Sequence, residues 1–513
     1  MSRRLCLSLA VVASTAPFAV AGDLPVPPGT PSKAAVAAGR DLFTMNFARP
    51  RTEGAGGGLG HNGNGLGPLY NETSCVACHS QAGTGGAGGL EKNVILAGIV
   101  TDPLPRGTVP QILAQARQVH PALDDNSPVV FVQRSSTGDR EQVAAYDKWR
   151  DDLLATFSGS SDSVLPRRRN QNGVIIELVQ RNTPALWGMG EIEKLRDAGG
   201  DAIRRRLADE ITAKKPWITG RAPVTADGED GWYGWRGQVA SLDRIIRGAC
   251  ASEMGIQVPG AKEAASPVAE VKKSRRQVSQ KAGDPVDLTE DQVGMLASFV
   301  RDIPRPTRRI SSSMADSIHN GERLFDSVGC ADCHVPNLGS VKGLYSDQLL
   351  HDMGEATADV QAAAPYVRQV TTTRMSTASS SATAAASQLT TTFNPNGGGG
   401  YASGPSLSSS LASASSTSVA NFSRPVTTTS VVVVPTRRSM EWKTPPLWGV
   451  RDSYPYFHDG RAATIEDAIQ MHGGEGQRSA DQFRMLNRDQ QDAIVTFLES
   501  LTAPPPDGDL AQR

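Results

Sequence analysis

Aromatic residues are scarce in this 513-residue chain, at 5%, and neither sign of charge dominates: 52 Lys and Arg stand against 53 Asp and Glu. A chain so close to neutral lacks the basic excess of a general nucleic-acid binder. Cysteine is rare too, and six residues cannot make a disulfide scaffold of this size. After the first 21 residues no apolar run reaches the ~20 residues that a membrane span needs; Val431 to Val434 is four valines within polar sequence. With few aromatics to fill it, a core could take part of its bulk from a bound prosthetic group. The length allows about three domains at ~150 residues each.

What is present begins with an export signature. Ser2, Arg3 and Arg4 give a positive start, Leu5 to Val20 is apolar, and Ala19-Val-Ala21 has the small-x-small form of a cleavage site. Residues 1–21 are therefore expected to be a signal peptide, with a periplasmic mature protein.

Two segments carry the chemistry. Cys75-Val-Ala-Cys78-His79 and Cys330-Ala-Asp-Cys333-His334 both read C-x-x-C-H. Two thiols on one turn can add to the two vinyl groups of a haem, and the next His then reaches the iron. A thioredoxin-like redox pair needs no His and sits in a βαβ pattern, absent here. A zinc site would have to gather four ligands from distant pairs. The reading is two covalently attached haem c groups, with His79 and His334 as proximal ligands.

An internal repeat supports it. Gly39-x-x-Leu42-Phe43 and Gly321-x-x-Leu324-Phe325 precede the two motifs, while Thr183-Pro-Ala-Leu-Trp-Gly188 is echoed by Thr444-Pro-Pro-Leu-Trp-Gly449. The expected fold is mainly α: two tandem cytochrome c-like haem domains, 36–305 and 306–505, with long loops. The first carries a Gly-rich stretch, Gly54 to Gly67, with no strand before it and no Gly-Lys-Ser/Thr to suggest a nucleotide loop. Helices are expected near Leu242 to Ala249 and from Asp287 to Val300, with a loop over Ala261 to Gly283. Residues 371–430 are rich in Ser, Thr, Ala and Gly and poor in large apolar side chains, which predicts a disordered insert.

Several segments together resemble the bacterial di-haem oxidoreductase family, a relative of the di-haem cytochrome c peroxidases. They are Gly65-Leu-Gly-Pro-Leu-Tyr-Asn71, Arg181-Asn-Thr-Pro-Ala-Leu-Trp-Gly188, Gly234-Trp-Arg236 and Glu253-Met-Gly-Ile256 in the first half. In the second they are Leu349-Leu-His-Asp-Met-Gly354, Thr444-Pro-Pro-Leu-Trp-Gly449, Phe457-His-Asp-Gly-Arg461 and His472-Gly-Gly-Glu475. The resemblance implies a periplasmic two-domain cytochrome whose haems exchange electrons with each other and with a redox partner protein or small donor, with peroxide as a substrate. Peroxidase relatives also hold a calcium ion between the domains, which no motif here fixes.

For the second haem the distal candidate is His472. Thr464 to Asp467 forms a helix start, and Ile465, Ala468, Ile469 and His472 then share one face. The peroxidase relatives carry Met at that position, and a His/His haem should sit at lower potential than a His/Met one. His458 is expected to hydrogen-bond near a haem or between domains, and Arg461 to pair with a propionate or cap a loop. His351, His61 and His120 are weaker ligand candidates, the last two being more often surface residues. Glu193 lies where the resemblance places a catalytic carboxylate, with Glu191 two residues away; either could equally be a helix-surface group. Trp187 could bridge the haems or simply pack, and Cys250 reads as a buried apolar thiol.

Two functions of different class follow: a di-haem oxidoreductase or peroxidase with an open first iron, and a non-catalytic electron-transfer cytochrome with both irons six-coordinate.

Overall fold

The computed structural model describes residues 31–505 apart from 50–64, 68, 101–106, 122, 124–128, 132–133, 136–139, 161–162, 226, 262–285, 361–365, 376–424 and 435–437. The expected signal peptide, His61, most of the Gly-rich stretch and almost all of the loop at 261–283 lie outside the described residues.

Twelve α-helices are described: α1 (Lys33–Thr44), α2 (Cys75–Cys78), α3 (Val109–Val119), α4 (Arg140–Leu154), α5 (Met189–Asp197), α6 (Gly200–Lys214), α7 (Leu242–Glu253), α8 (Glu290–Asp302), α9 (Ala315–Ser327), α10 (Ile465–Gln470), α11 (Gln477–Met485) and α12 (Arg488–Glu499). Many begin at a side-chain cap that satisfies a free N–H of the first turn. Ser32 accepts from Ala35, Ser241 from Arg244, and Thr289 forms a capping box with Gln292. That box starts α8 three residues later than the expected Asp287. The Asp287 carboxylate is used elsewhere, accepting from the Gly65 N–H at 2.9 Å and the Gln257 N–H at 2.8 Å.

Two helix crossings are built alike. At α1 on α8, a Cβ on Gly39 would lie 1.9 Å from the Met295 carbonyl oxygen; at α9 on α12, a Cβ on Gly321 would lie 1.9 Å from that of Ala493. Only glycine allows so close an approach. One turn on, Phe43 meets Phe299 at 5.1 Å between ring centres, and Phe325 meets Phe497 at 5.3 Å.

The first half is not all helical. Between α2 and α5 runs a four-stranded antiparallel sheet in the order Val129–Phe131, Val94–Val100, Val174–Arg181, Arg167–Gln171. It has its own core, in which Ala97, Ile99 and Ile176 pack with Ile112, Ala116 and Val119 of α3 and Leu153 of α4. The mainly-α expectation therefore holds for the haem-motif regions but not for 94–181. The runs Val94-Ile-Leu-Ala-Gly-Ile-Val100 and Val174-Ile-Ile-Glu-Leu-Val179 are β-branched and of strand length, which makes them strands.

The expected insert also needs correction at its edges. Strands Tyr366–Met375 and Pro425–Val434 pair antiparallel over ten residues, so 371–375 and 425–430 are not irregular. Thr and Val fill both strands, and β-branched residues favour the extended backbone even where composition promises no core. The remainder, 376–424, lies outside the described residues.

The halves meet at a buried ionic and aromatic cluster. Asp359 accepts a bidentate pair from Arg181 (2.8 and 3.0 Å) and a further bond from Arg236 (2.7 Å). Trp442 is sandwiched between the Arg236 guanidinium, 3.7 Å from its ring centre, and the stacked ring of His458 at 3.5 Å.

Candidate functional site

The first motif sits at the foot of the α1–α8 crossing. Ser74 precedes the single turn of α2, so Cys75 and Cys78 stand on one turn and His79 follows at its end. Neither thiol is in a disulfide. The His79 Nδ1 donates to the Pro184 carbonyl at 3.1 Å, the arrangement that directs Nε2 to any metal the ring would bind. Phe43 stands 6.3 Å from the His79 ring. Burial lowers the His79 pKa to about 4, so the ring is neutral and able to bind metal.

The second motif repeats this geometry. Cys330 opens a short 3₁₀ turn that Cys333 caps; neither is in a disulfide, and the Cys333 Sγ lies 3.7 Å from the His351 Nδ1. The His334 Nδ1 donates to the Tyr345 carbonyl at 3.0 Å, and Phe325 lies 6.3 Å from its ring. Opposite stands His472, its ring centre 6.4 Å from that of His334 and its Nδ1 donating to the Ala468 carbonyl at 2.7 Å. Two imidazoles bound to one metal through bonds of about 2 Å are spaced by roughly this distance. In each ring Nδ1 is the nitrogen bonded to a carbonyl, both rings are half-buried, and the partial burial pushes both pKa values down. The donor set therefore fits a haem iron held between two neutral imidazoles. Met471 points away and is 43% exposed.

The two sites differ on the distal side. Helices α7 and α10 occupy matching places: each follows a small antiparallel bridge, Tyr233 with Val239 and Tyr456 with Ala462. A left-handed glycine lies between the bridge residues (Gly237 and Gly460), and a capping hydroxyl follows (Ser241 and Thr464). Eight residues beyond the cap the second unit has His472; the first has Ala249. There α10 has already ended at Gln470, whereas α7 continues to Glu253. One helical turn past Ala249, on the same face, Glu253 accepts from the Asn71 side chain at 2.6 Å, four residues before Cys75. Burial raises the Glu253 pKa to about 7, against the smaller lowering effects of Asn71 and Ser252. The sequence reading quoted Glu253 within a motif but gave it no role. The signal was available, since matching the caps of the two units aligns Ala249 with His472.

The two echoed Trp-Gly motifs interlock. A Cβ on Gly188 would lie 2.6 Å from the Trp448 ring, and one on Gly449 2.6 Å from the Trp187 ring. Both glycines are left-handed, at φ +69° and +71°, so each turn needs glycine for backbone and space alike.

The remaining candidates fall in several places. Glu193 is on α5, buried, and ion-paired with Arg301, with Arg196 at 3.9 Å. Glu191 pairs with Lys194 at the surface. His351 has a carboxylate at each nitrogen, Asp347 at 2.8 Å and Glu475 at 2.7 Å, which leaves none for iron. With Cys333 and Asp347 it forms the one tight His/Cys/Asp/Glu group among the described residues. That group offers calcium no oxygen cage. His120 is buried, not superficial: it packs edge-on to Trp149 at 5.7 Å beside the sheet's core, because it caps α3 where the chain turns inward. His458 lies 3.4 Å from Asp359. Arg461 is occupied by Asp459 and the Ala356 carbonyl. Cys250 is buried, its thiol pushed up to about 12 by burial, as suits an apolar role.

Residues 436–501 match the family model described as "Di-haem oxidoreductase, putative peroxidase", which bears out the resemblance over that segment. A cytochrome c551 peroxidase of Nitrosomonas europaea is 41% identical over 66 residues, 13% of this chain. The chain thus matches 18% of that relative's length. Among solved structures, a xenon-pressurized hydrazine synthase of Kuenenia stuttgartiensis aligns over 63% of this chain and 72% of its own, at 16% identity and TM-score 0.28. A MauG-like protein associated with microbial copper homeostasis aligns over 56% and 78%, at 14% identity and TM-score 0.23. No helix among the described residues is long and apolar enough to cross a membrane.

Proposed function

We propose, from the di-haem oxidoreductase resemblance that residues 436–501 carry, that this protein is an exported di-haem c-type cytochrome with peroxidase-like activity. Its two units, about 36–305 and 306–505, each hold one haem: Cys75, Cys78 and His79 in the first, Cys330, Cys333 and His334 in the second, with His472 as the second distal ligand. The observation that carries the reading is the asymmetry between matching helices. Ala249 offers the first iron no side chain where His472 serves the second, and a carboxyl with pKa near 7 stands one turn away.

When bound, the haems would supply the peroxide-binding iron and the electrons. The chain's own residues do the rest. Glu253 takes the proton from one oxygen of hydrogen peroxide and returns it to the oxygen that leaves as water. Asn71, bonded to the same carboxylate, orients it. Pro184 and Tyr345, through their carbonyls, fix the tautomers of His79 and His334. The carboxylate of Glu193 is held by Arg301, so Glu253 is the better placed of the two for proton transfer. Electrons would enter from a redox partner through the second unit. The signal-like start at residues 2–21 suits export to the periplasm, where haem attachment takes place.

The test is the ferric spectrum with peroxide turnover. A high-spin component that peroxide consumes after partial reduction is expected. A wholly low-spin protein indifferent to peroxide would leave electron transfer as the function.

A further inference from the structure

The second haem site holds a buried ion cluster that the proposed function does not use. His351 is 2% exposed, with Asp347 Oδ2 at 2.8 Å from Nε2 and Glu475 Oε2 at 2.7 Å from Nδ1. An ionised carboxylate only accepts hydrogen bonds, so an imidazole facing one at each nitrogen satisfies both when it carries two protons. Its positive charge is also what makes two buried carboxylates tolerable. The ring is tightly housed, since a Cβ on Gly220 would lie 2.4 Å from it.

The cluster reaches both faces of the site. On the proximal side the Asp347 N–H donates to the Cys333 carbonyl at 2.9 Å, next to His334. On the distal side Glu475 lies three residues past His472 and accepts from the Thr219 hydroxyl at 2.6 Å. The segment between is Gly473-Gly474-Glu475-Gly476. Three glycines in four residues give a loop with high conformational freedom and little hold of its own. Within this segment Glu475 alone carries a side chain that can tie the loop down.

We propose that His351 is a positioning residue, an imidazolium clasp that holds the His472 loop closed against the Cys333–His334 turn. The inference rests on the reading that His334 and His472 share one iron. Released from the clasp, the glycine loop would sample open states and His472 would spend part of its time away from its place opposite His334.

The test uses full-length, haem-loaded protein and the variants His351→Gln, Glu475→Gln and Thr219→Val. The readouts are the low-spin His/His signature in electron paramagnetic resonance and near-infrared circular dichroism, the rate of imidazole binding to the ferric second haem, and its midpoint potential. His351→Gln is expected to raise the imidazole rate at least tenfold and to move the one-electron equilibrium at least tenfold, ~59 mV. Thr219→Val should act in the same direction with a smaller effect. Should His351→Gln fail to fold, Glu475→Gln and Thr219→Val carry the measurement. Unchanged signature, rate and potential across the folded variants, with only lower thermal stability, would overturn the clasp. A wild-type protein with no His/His signature would overturn the ligand reading, and the clasp with it.

Discussion

Replacing Glu253 by Gln should make the protein more stable and less active at once. The Glu253 pKa stands at about 7, against an ordinary value of 4.5, because its carboxyl is set back from water. A carboxyl whose folded-state pKa is raised stabilises the fold fully below the unfolded value, and that contribution is lost as pH climbs through the folded one. At 1.36 kcal/mol per unit the difference is worth about 3 kcal/mol, spent between about pH 4.5 and 7. The wild type should therefore lose about 3 kcal/mol from this group between pH 4.5 and 8, and Glu253→Gln, uncharged throughout, should not. Denaturant titrations at both pH values measure the difference. Peroxide turnover should move the other way. The base form of Glu253 accumulates above pH 7, so wild-type kcat/KM should rise with pH to a plateau there. The variant should lack that rise and fall about 10²–10⁴-fold below the plateau, the usual worth of general acid–base help. A variant within tenfold of wild type, with the same pH step in stability, would refute the assignment.

Three further outcomes follow from the same geometry. Ala249→His should bring a ligand to the first iron, convert the high-spin ferric fraction to low-spin, and cut peroxide turnover at least tenfold; an unchanged spectrum would mean that α7 does not face that iron as α10 faces the second. Glu193→Gln should cost about 1–3 kcal/mol by leaving Arg301 without its partner yet change turnover less than tenfold, which steady-state kinetics beside a melting curve will separate. Joining Met375 directly to Pro425, which already face each other in the hairpin, removes 376–424; mass spectrometry should still find two covalent haems, because loop closure changes by only about 0.6 kcal/mol per doubling of loop length.

The two C-x-x-C-H turns stood out in the sequence because of their fixed spacing, and the Thr464 cap was legible because a cap is a local device: its hydroxyl does accept from Asp467. The face carrying His472 was readable for the same reason. The sheet was not legible because a short apolar run such as Val94 to Val100 fits a buried strand and a buried helix segment alike. Glu253 could not be ranked from sequence alone. Its perturbation comes from burial against a segment some 180 residues away, the Asn71 contact being separated by 182 positions. Glu193 was the carboxylate candidate legible in the sequence, but its pairing with Arg301, 108 positions downstream, was not. Partners so distant in sequence leave no periodic trace.

The glycine-mediated crossing of α1 on α8 carries a consequence for how the chain assembles. The helices that close the second unit, α9 and α12, are joined through fewer than 190 residues, but α1 must wait for a partner that begins at Glu290. As the chain grows from its N-terminus, Cys75 and Cys78 emerge well over 200 residues before α8 exists. The sheet over 94–181, whose strand pairs are closer in sequence, can form meanwhile. A chain entering the periplasm N-terminus first would therefore present Cys75 and Cys78 on an open, accessible turn before the wall of the proposed haem pocket arrives. An exported chain truncated before residue 290 should accordingly still take up haem at Cys75 and Cys78, detectable by mass, without folding around it.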